Sequence, residues 1–335
     1  MYKNNSNPPL PSFSKGGTGK FLNPSDKSII IISGPTASGK SQIALSVVRK
    51  LDLEIVNADS MQVYRYLDIG TAKPSLNDRK LIKHHLIDIV DPDEQYDAGR
   101  YVEETDNVIA NLLKEKKFPL IVGGTGLYIK ALIFGLFHSP PKDLKIRNDL
   151  KLKVKSSGIE NLYSELKQTD PLSAQKIKPT DTQRILRTLE VFLITGKPTS
   201  FFQSQHGFRK PRYKYLYFCL RREKEELNKR IEARVDKMIE TGFEEEVRNL
   251  LEMGYSYDLN SLKSLGYKEM IGYINGKYNL SETINLIKKN ARHYAKRQLT
   301  WFKAQPDVVW IDLKGDDIEA PAKEIKERME AFCCP

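Results

Sequence analysis

The run Gly34-Pro35-Thr36-Ala37-Ser38-Gly39-Lys40-Ser41 fits G-x-x-x-x-G-K-[ST], the pattern of a loop that wraps backbone N–H groups around a phosphate. It follows the β-branched stretch Ile29-Ile30-Ile31-Ile32 and precedes Gln42-Ile43-Ala44-Leu45-Ser46-Val47-Val48, which reads as the start of a helix. Strand, glycine loop and helix N-terminus gather several donors about one anion. Lys40 adds an ammonium for terminal phosphate oxygens, and Ser41 supplies the hydroxyl that ligates Mg2+ in such loops. The chain therefore holds a phosphate or pyrophosphate here. The loop alone does not separate a kinase, an ATPase and other phosphate-using enzymes. A second run, Gly16-Gly17-Thr18-Gly19-Lys20, imitates it, but Ser14 replaces the first glycine, Phe21 replaces Ser/Thr and no strand precedes it. It reads as a decoy.

Further polar groups fall where ligands of an α/β sheet bind, at the C-terminal ends of strands. Asn57-Ala58-Asp59-Ser60-Met61-Gln62-Val63-Tyr64 closes the second strand candidate, and Asp59 is placed to be a base, a magnesium ligand or a helix N-cap. Gly123-Gly124-Thr125-Gly126-Leu127-Tyr128 opens a helix after the fourth strand candidate; it is either a second anion-facing turn or a tight strand-to-helix corner. His84 and His85 are adjacent, and adjacent side chains point apart, so we expect a structural role and no zinc.

Basic residues are grouped. Gln183, Arg184 and Arg187 share a helical segment, with the arginines three apart on one face, and Arg230 and Arg234 are four apart on another. Between Glu282 and Asp307 no acid occurs, while Lys288, Lys289, Arg292, His293, Lys296, Arg297 and Lys303 appear with Tyr294, Trp301 and Phe302 among them. An acid-free basic helix with aromatics suits an RNA backbone.

These groups need a scaffold to converge. From Ile29 to about Phe137, strand candidates at 29–33, 53–57, 86–90 and 119–123 alternate with helical stretches, notably 97–116. That alternation predicts an α/β fold, a P-loop-type parallel sheet flanked by helices. Pro140-Pro141 marks a break, and 142–200 reads as helical and polar; a strand returns at 215–220, followed by helices at 223–252 and 281–304 and a last strand at 308–311. The expected organisation is a flexible leader (1–27), a catalytic core (28–138 and 211–315), a mostly helical insertion domain (139–210) and a C-terminal tail (316–335). With 335 residues the chain can bury such a core and carry a second module. Fifty-four Lys plus Arg against 43 Asp plus Glu give a formal charge of +11, which favours a polyanionic partner. Three cysteines without metal-ligand spacing, no membrane-length apolar run and no signal core fit a reducing cytoplasm.

Taken in order, these segments resemble the tRNA dimethylallyltransferases, the isopentenyltransferase family that modifies adenine beside the anticodon. The resemblance rests on residues 34–41, 59–64, Asp68-Ile69-Gly70-Thr71-Ala72-Lys73-Pro74, 123–128, 181–184 with Arg187, Leu265-Gly266-Tyr267-Lys268-Glu269 and Ala295-Lys296-Arg297-Gln298-Leu299-Thr300-Trp301. It implies transfer of a dimethylallyl group from dimethylallyl diphosphate to N6 of adenosine 37 in tRNAs reading codons that begin with U, with Mg2+ as cofactor. It further implies that Gly34, Pro35, Thr36, Ala37, Ser38, Gly39, Lys40 and Ser41 grip the diphosphate of the prenyl donor, with Ser41 on the metal. Asp59 would take the N6 proton, Thr36 would align the reactants and Arg234 would add positive charge. The anticodon stem-loop would meet Asp59, Ser60, Met61, Gln62, Thr125, Arg147, Gln183, Arg184, Arg187, Lys263, Gly266, Tyr267, Lys268, Arg292, Lys296 and Arg297.

Eukaryotic members of that family carry a C-terminal zinc finger, and this sequence ends Cys333-Cys334-Pro335, so the resemblance implies the bacterial form as the expected one. A monomer without an obligate protein partner is the expected state. Two rival activities remain open on the residues: an adenylate isopentenyltransferase acting on free adenine nucleotides, and a P-loop small-molecule kinase. The helical insertion and the acid-free helix favour tRNA, because a mononucleotide needs neither.

Overall fold

The computed structural model describes residues 27–48, 53–137 and 140–333; residues 1–26 of the leader, with its decoy loop, and Cys334 and Pro335 lie outside them. In chain order the elements are β1 (Ser28–Ser33), α1 (Lys40–Val48), β2 (Leu53–Asn57), α2 (Leu76–Leu81), β3 (His84–His85), α3 (Ala98–Lys114), β4 (Phe118–Gly123) and α4 (Gly126–Phe134). There follow α5 (Leu144–Thr169), α6 (Pro171–Ala174), α7 (Thr182–Thr195) and α8 (Thr199–His206). The chain returns through β5 (Lys214–Arg221), α9 (Lys224–Glu240), α10 (Phe243–Glu252), α11 (Tyr267–Ile274), α12 (Leu280–Lys303), β6 (Val308–Asp312) and α13 (Glu319–Cys333). Two units result, one from residues up to Ile133 and from Tyr213 on, the other from Phe134–Arg212.

In the first unit the six strands form one sheet ordered β3-β2-β4-β1-β5-β6, with every pairing parallel. Parallel sheets are covered on both faces, which is why β1 is an unbroken isoleucine run rather than an alternating one. Ile30 and Ile32 pack with Leu120, Phe218 and Leu220 against α1 and α13, while the opposite-facing Ile29, Ile31 and Ile121 are equally buried. Each such side chain contributes about 1.5–3 kcal/mol by leaving water. The order places β1 between β4 and β5, so the loop after β1 emerges in mid-sheet beside the loops after β2 and β4.

Three expectations give way here. Residues 86–90 are not the third strand: pairing stops at His84–His85, Leu86 and Asp88 take positive φ of 60° and 56°, and Val90 makes only an isolated bridge to Tyr64. Distant polar partners outweigh β-propensity, because the Leu86 carbonyl accepts from the Asn57 amide and Asp88 is held by Lys73 and Arg79. The helix read over 223–252 is two helices, broken where Gly242 takes φ +94°. The segment 316–335 is no mere tail: 319–333 form α13, whose Ala322, Ile325 and Met329 join the core beside α1.

The second unit packs α5 and α7 around Leu150, Leu162, Leu166, Ile185 and Leu189. Gly158 interrupts α5 at φ +81°. The buried carboxylate of Glu190 accepts from the Asp143 N–H and from Arg187, whose guanidinium also reaches the Pro140 carbonyl.

Candidate active site

The loops leaving β1 and β2 meet helices α9, α11 and α12 around a cavity of about 870 Å³. Thr36, Lys40, Ser41, Asp59, Arg234 and Gln298 are in its wall. The phosphate loop is shaped by backbone that side chains disfavour: Gly34 has φ +150°, and a Cβ there would stand 2.8 Å from the Leu220 carbonyl oxygen. Lys40 folds back so that Nζ donates to the Gly34 and Pro35 carbonyls at 2.9 and 2.8 Å. Burial pushes its ammonium down to about 8; Asp59 opposes this shift and Arg234 adds to it.

Partners far along the chain fix the rest of the loop. Arg234 Nη1 donates to Thr36 Oγ1 at 2.8 Å, and the Thr36 N–H donates to Gln298 Oε1 at 2.8 Å. Arg230 and Arg222 donate to the Ala37 and Ser38 carbonyls at 3.3 and 3.0 Å. Burial lowers the affinity of Arg234 for its proton, with Asp59 opposing, and raises the phenol of Tyr294 beside it.

Asp59 is not a helix cap, since the residues after it turn without entering a helix. Its Oδ1 accepts from the Met61 N–H at 2.9 Å, an Asx turn, and its own N–H donates to Asn57 Oδ1 at 3.0 Å. The second glycine turn clasps this segment: the Ser60 N–H donates to Thr125 Oγ1 at 2.9 Å and the Thr125 N–H to the Ala58 carbonyl at 3.0 Å. A Cβ on Gly123 would lie 2.1 Å from that carbonyl oxygen, so only glycine fits. The 123–128 turn is thus a strand-to-helix corner that positions Asp59.

Another wall is the 68–72 loop. Its Asp68, Ile69 and Gly70 N–H groups donate to the Glu246 carboxylate at 3.0, 2.6 and 3.2 Å, and the Tyr267 hydroxyl donates to it at 2.6 Å. Gln62 Nε2 donates to the Thr71 and Ala72 carbonyls, both at 3.2 Å. Met61, Leu265, Ala233 and the rings of Tyr267 and Tyr294 add apolar surface.

Ser41 and Asp59 are oxygen donors on one cavity wall, which suits a hard cation. Among the described residues no group of three or more His, Cys, Asp or Glu could hold a metal ion. His84 and His85 go to separate partners, the Ile82 carbonyl at 2.7 Å and Glu54 at 2.6 Å.

The remaining expected residues are spread out. Lys263, Lys268, Lys296 and Arg297 are exposed, but Gly266 and Tyr267 are buried, so of that loop the two lysines present their side chains. Arg292 pairs with Glu232 and Lys288 with Asp236, so α9 supplies acids that the α12 sequence lacks. In the second unit Gln183 and Arg184 are exposed, Arg147 is half-buried, and Arg187 serves Glu190. Sequence reasoning missed Gln298, Glu246 and Arg222. For Gln298 a signal existed: it falls on the buried stripe Ala291, Ala295, Phe302 of α12, where a polar residue is out of place.

A family model described as IPP transferase matches residues 62–305, and one described as isopentenyl transferase matches 27–92. The tRNA dimethylallyltransferase of Desulfatibacillum aliphaticivorans is 45% identical over 307 residues, covering 92% of this chain and 100% of that protein. The crystal structure of the full-length tRNA isopentenylpyrophosphate transferase from Bacillus halodurans matches with a TM-score of 0.69 at 34% identity, covering 92% of this chain and 97% of the other. A eukaryotic dimethylallyltransferase captured acting on tRNA matches with a TM-score of 0.77 at 30% identity, covering 91% of this chain and 78% of the other.

Proposed function

The chain belongs to the IPP transferase family, and from that premise we propose that it moves the dimethylallyl group of dimethylallyl diphosphate onto N6 of adenosine 37 in tRNAs reading codons that begin with U. The C1–O bond of the donor breaks and its electron pair leaves with diphosphate; a C1–N6 bond forms and one N6 proton passes to a base. The observation that carries this reading is the convergence of Lys40, Ser41, Arg234 and Asp59 on one cavity large enough for a prenyl chain and a purine together.

In that cavity the loop from Gly34 to Ser41 grips the diphosphate, and Lys40 swings its ammonium from the loop carbonyls toward the phosphoryl oxygens. Ser41 would hold Mg2+, which when bound neutralises charge on the leaving group. Thr36 Oγ1 already accepts from Arg234, so its own O–H is left to donate toward the bridging oxygen where charge develops. The Asx turn fixes one oxygen of Asp59 and leaves Oδ2 to accept the N6 proton. The adenine leaves its stack to enter, and the exposed cations, Arg184, Lys263, Lys268, Lys296 and Arg297, contact the backbone of the anticodon stem-loop.

The test is a four-way transfer assay with Mg2+, using labelled dimethylallyl diphosphate or labelled ATP as donor and tRNA or AMP as acceptor. Label passing from the prenyl donor to tRNA is the expected result. Label from ATP would replace this reading with a kinase, and label on AMP but not tRNA with an adenylate isopentenyltransferase.

A further inference from the structure

Gln298 is 7% exposed and sits where α12 crosses the phosphate loop. Its amide is used at both ends. Oε1 accepts from the Thr36 N–H at 2.8 Å, and Nε2 donates to the Gly124 carbonyl at 2.9 Å. The two neighbours settle the orientation of the amide, because an N–H must face its oxygen and a carbonyl its nitrogen. The approach is close enough that a Cβ on Gly124 would lie 2.5 Å from Nε2, so glycine at 124 is the condition for the contact.

Two consequences follow for the loop. The Thr36 N–H is spoken for by a side chain, so it does not compete for phosphate. Thr36 is also held from two sides, its N–H by α12 and its hydroxyl oxygen by Arg234 of α9. The Gly124 end of the same amide ties this point to the corner that clasps the Asp59 segment. One side chain therefore spans the donor side and the acceptor side of the cavity.

We infer that Gln298 is a positioning residue that sets the distance between Thr36, over the leaving diphosphate, and Asp59, at the adenine amine. The inference rests on the reading of loop 34–41 as the diphosphate grip. Gln298 lines the cavity, but both ends of its amide are engaged by the protein, so it acts by holding both walls in register. A misplacement of about 1 Å between reacting groups costs on the order of a hundredfold in rate, which sets the size of the expected effect.

The experiment uses two variants of the full chain. Gln298→Met keeps the volume and removes both hydrogen bonds; kcat is expected to fall on the order of a hundredfold, with tRNA affinity within about twofold of the parent. Gln298→Glu keeps the acceptor for Thr36 but loses the donor for Gly124 while ionised, and regains it as a neutral acid. The ratio of its kcat to the parent's is therefore expected to rise as pH falls from 8.5 to 6. Taking the ratio cancels titration of the groups that share this cavity, Lys40 on α1, Asp59 after β2, Arg230 and Arg234 on α9, Tyr267 on α11, and Tyr294 and Arg297 on α12. A methionine variant with near-parental kcat, or a loss confined to tRNA affinity, overturns the proposal. So does a folded glutamate variant whose ratio is flat with pH. Failure of the parent itself to transfer the prenyl group would instead strike the function proposed above.

Discussion

Affinity for the diphosphate should depend on pH through Lys40. In the free protein burial brings its pKa down to about 8 from 10.5, a shift worth about 3 kcal/mol. About nine-tenths of it is then neutral at pH 9 and about one-tenth at pH 7. Bound phosphoryl oxygens favour the ammonium and restore the pKa, so binding takes up about 0.9 proton at pH 9 and about 0.1 at pH 7. The apparent Kd should weaken about tenfold for each pH unit above 8. Cys219, whose thiol burial pushes up to about 12, and Tyr294, pushed higher still, stay outside that window. The same shift acts on folding with a definite sign. Between pH 8 and 10.5 the unfolded chain holds more protons than the folded one, so Lys40 makes the free protein more stable as pH rises there, and its cost is full below 8. Calorimetric titration of the Mg2+-diphosphate complex in buffers of different ionisation enthalpy measures the uptake directly. Lys40→Arg, always charged, should bind without a pH slope at whatever affinity it retains. A Kd that is flat from pH 7 to 9.5, or an arginine variant with the parental slope, would refute the reasoning.

The other expectations concern single side chains. Asp59→Asn should lower kcat by about 10²–10⁴-fold while tRNA affinity holds, since the amide still accepts from Met61 but takes no proton; equal losses in steady-state and filter-binding measurements would make Asp59 a structural residue. Arg184→Ala should weaken tRNA binding and leave the melting temperature in place, whereas Arg187→Ala should destabilise the Phe134–Arg212 unit by about 3 kcal/mol by stranding the buried Glu190; thermal melts that do not separate the two argue against it. Lys296→Ala should flatten the plot of log Kd against log salt for tRNA by about one unit, and Lys288→Ala, already paired with Asp236, should change it far less.

What could be read in advance divides by distance along the chain. The phosphate loop is a local pattern, and the isoleucines of β1 reflect burial on both faces, so loop, strand and α1 were visible together. Asp59 was visible as a residue but not as an Asx turn, because its alternative as a cap differs only in what the next residues do. The grip of Glu246 on residues 68–70 crosses 176–178 positions and the Thr36–Gln298 bond crosses 262; no window of sequence contains both partners. The strand expected at 86–90 failed over a shorter range, since the apolar pattern there is sound but Asp88 and the Leu86 carbonyl answer to Arg79, Lys73 and Asn57, which lie 9, 15 and 29 positions away. The acid-free helix misled in one respect only. Its sequence is basic, yet α9 returns Glu232 and Asp236 to Arg292 and Lys288, and the cationic surface is narrower than the helix.

The same long-range bonds explain how a loop common to many phosphate-binding proteins can serve prenyl transfer. Departing diphosphate gathers charge at a fixed point, and donors lower that barrier most when they need no rearrangement as the bond breaks. Here Arg222 and Arg230 hold the Ser38 and Ala37 carbonyls from behind, Gln298 takes the Thr36 N–H, and Arg234 takes its hydroxyl oxygen. All four of these side chains belong to β-strand-to-helix and helix positions on the far side of the sequence, so the loop's shape is set before any ligand arrives. Lys40 is the exception, bent onto its own loop and partly discharged near pH 8. On the proposed reading it is the one member of the grip whose charge and position would both change when diphosphate enters, and that is why its titration should report on the site more directly than any other group in it.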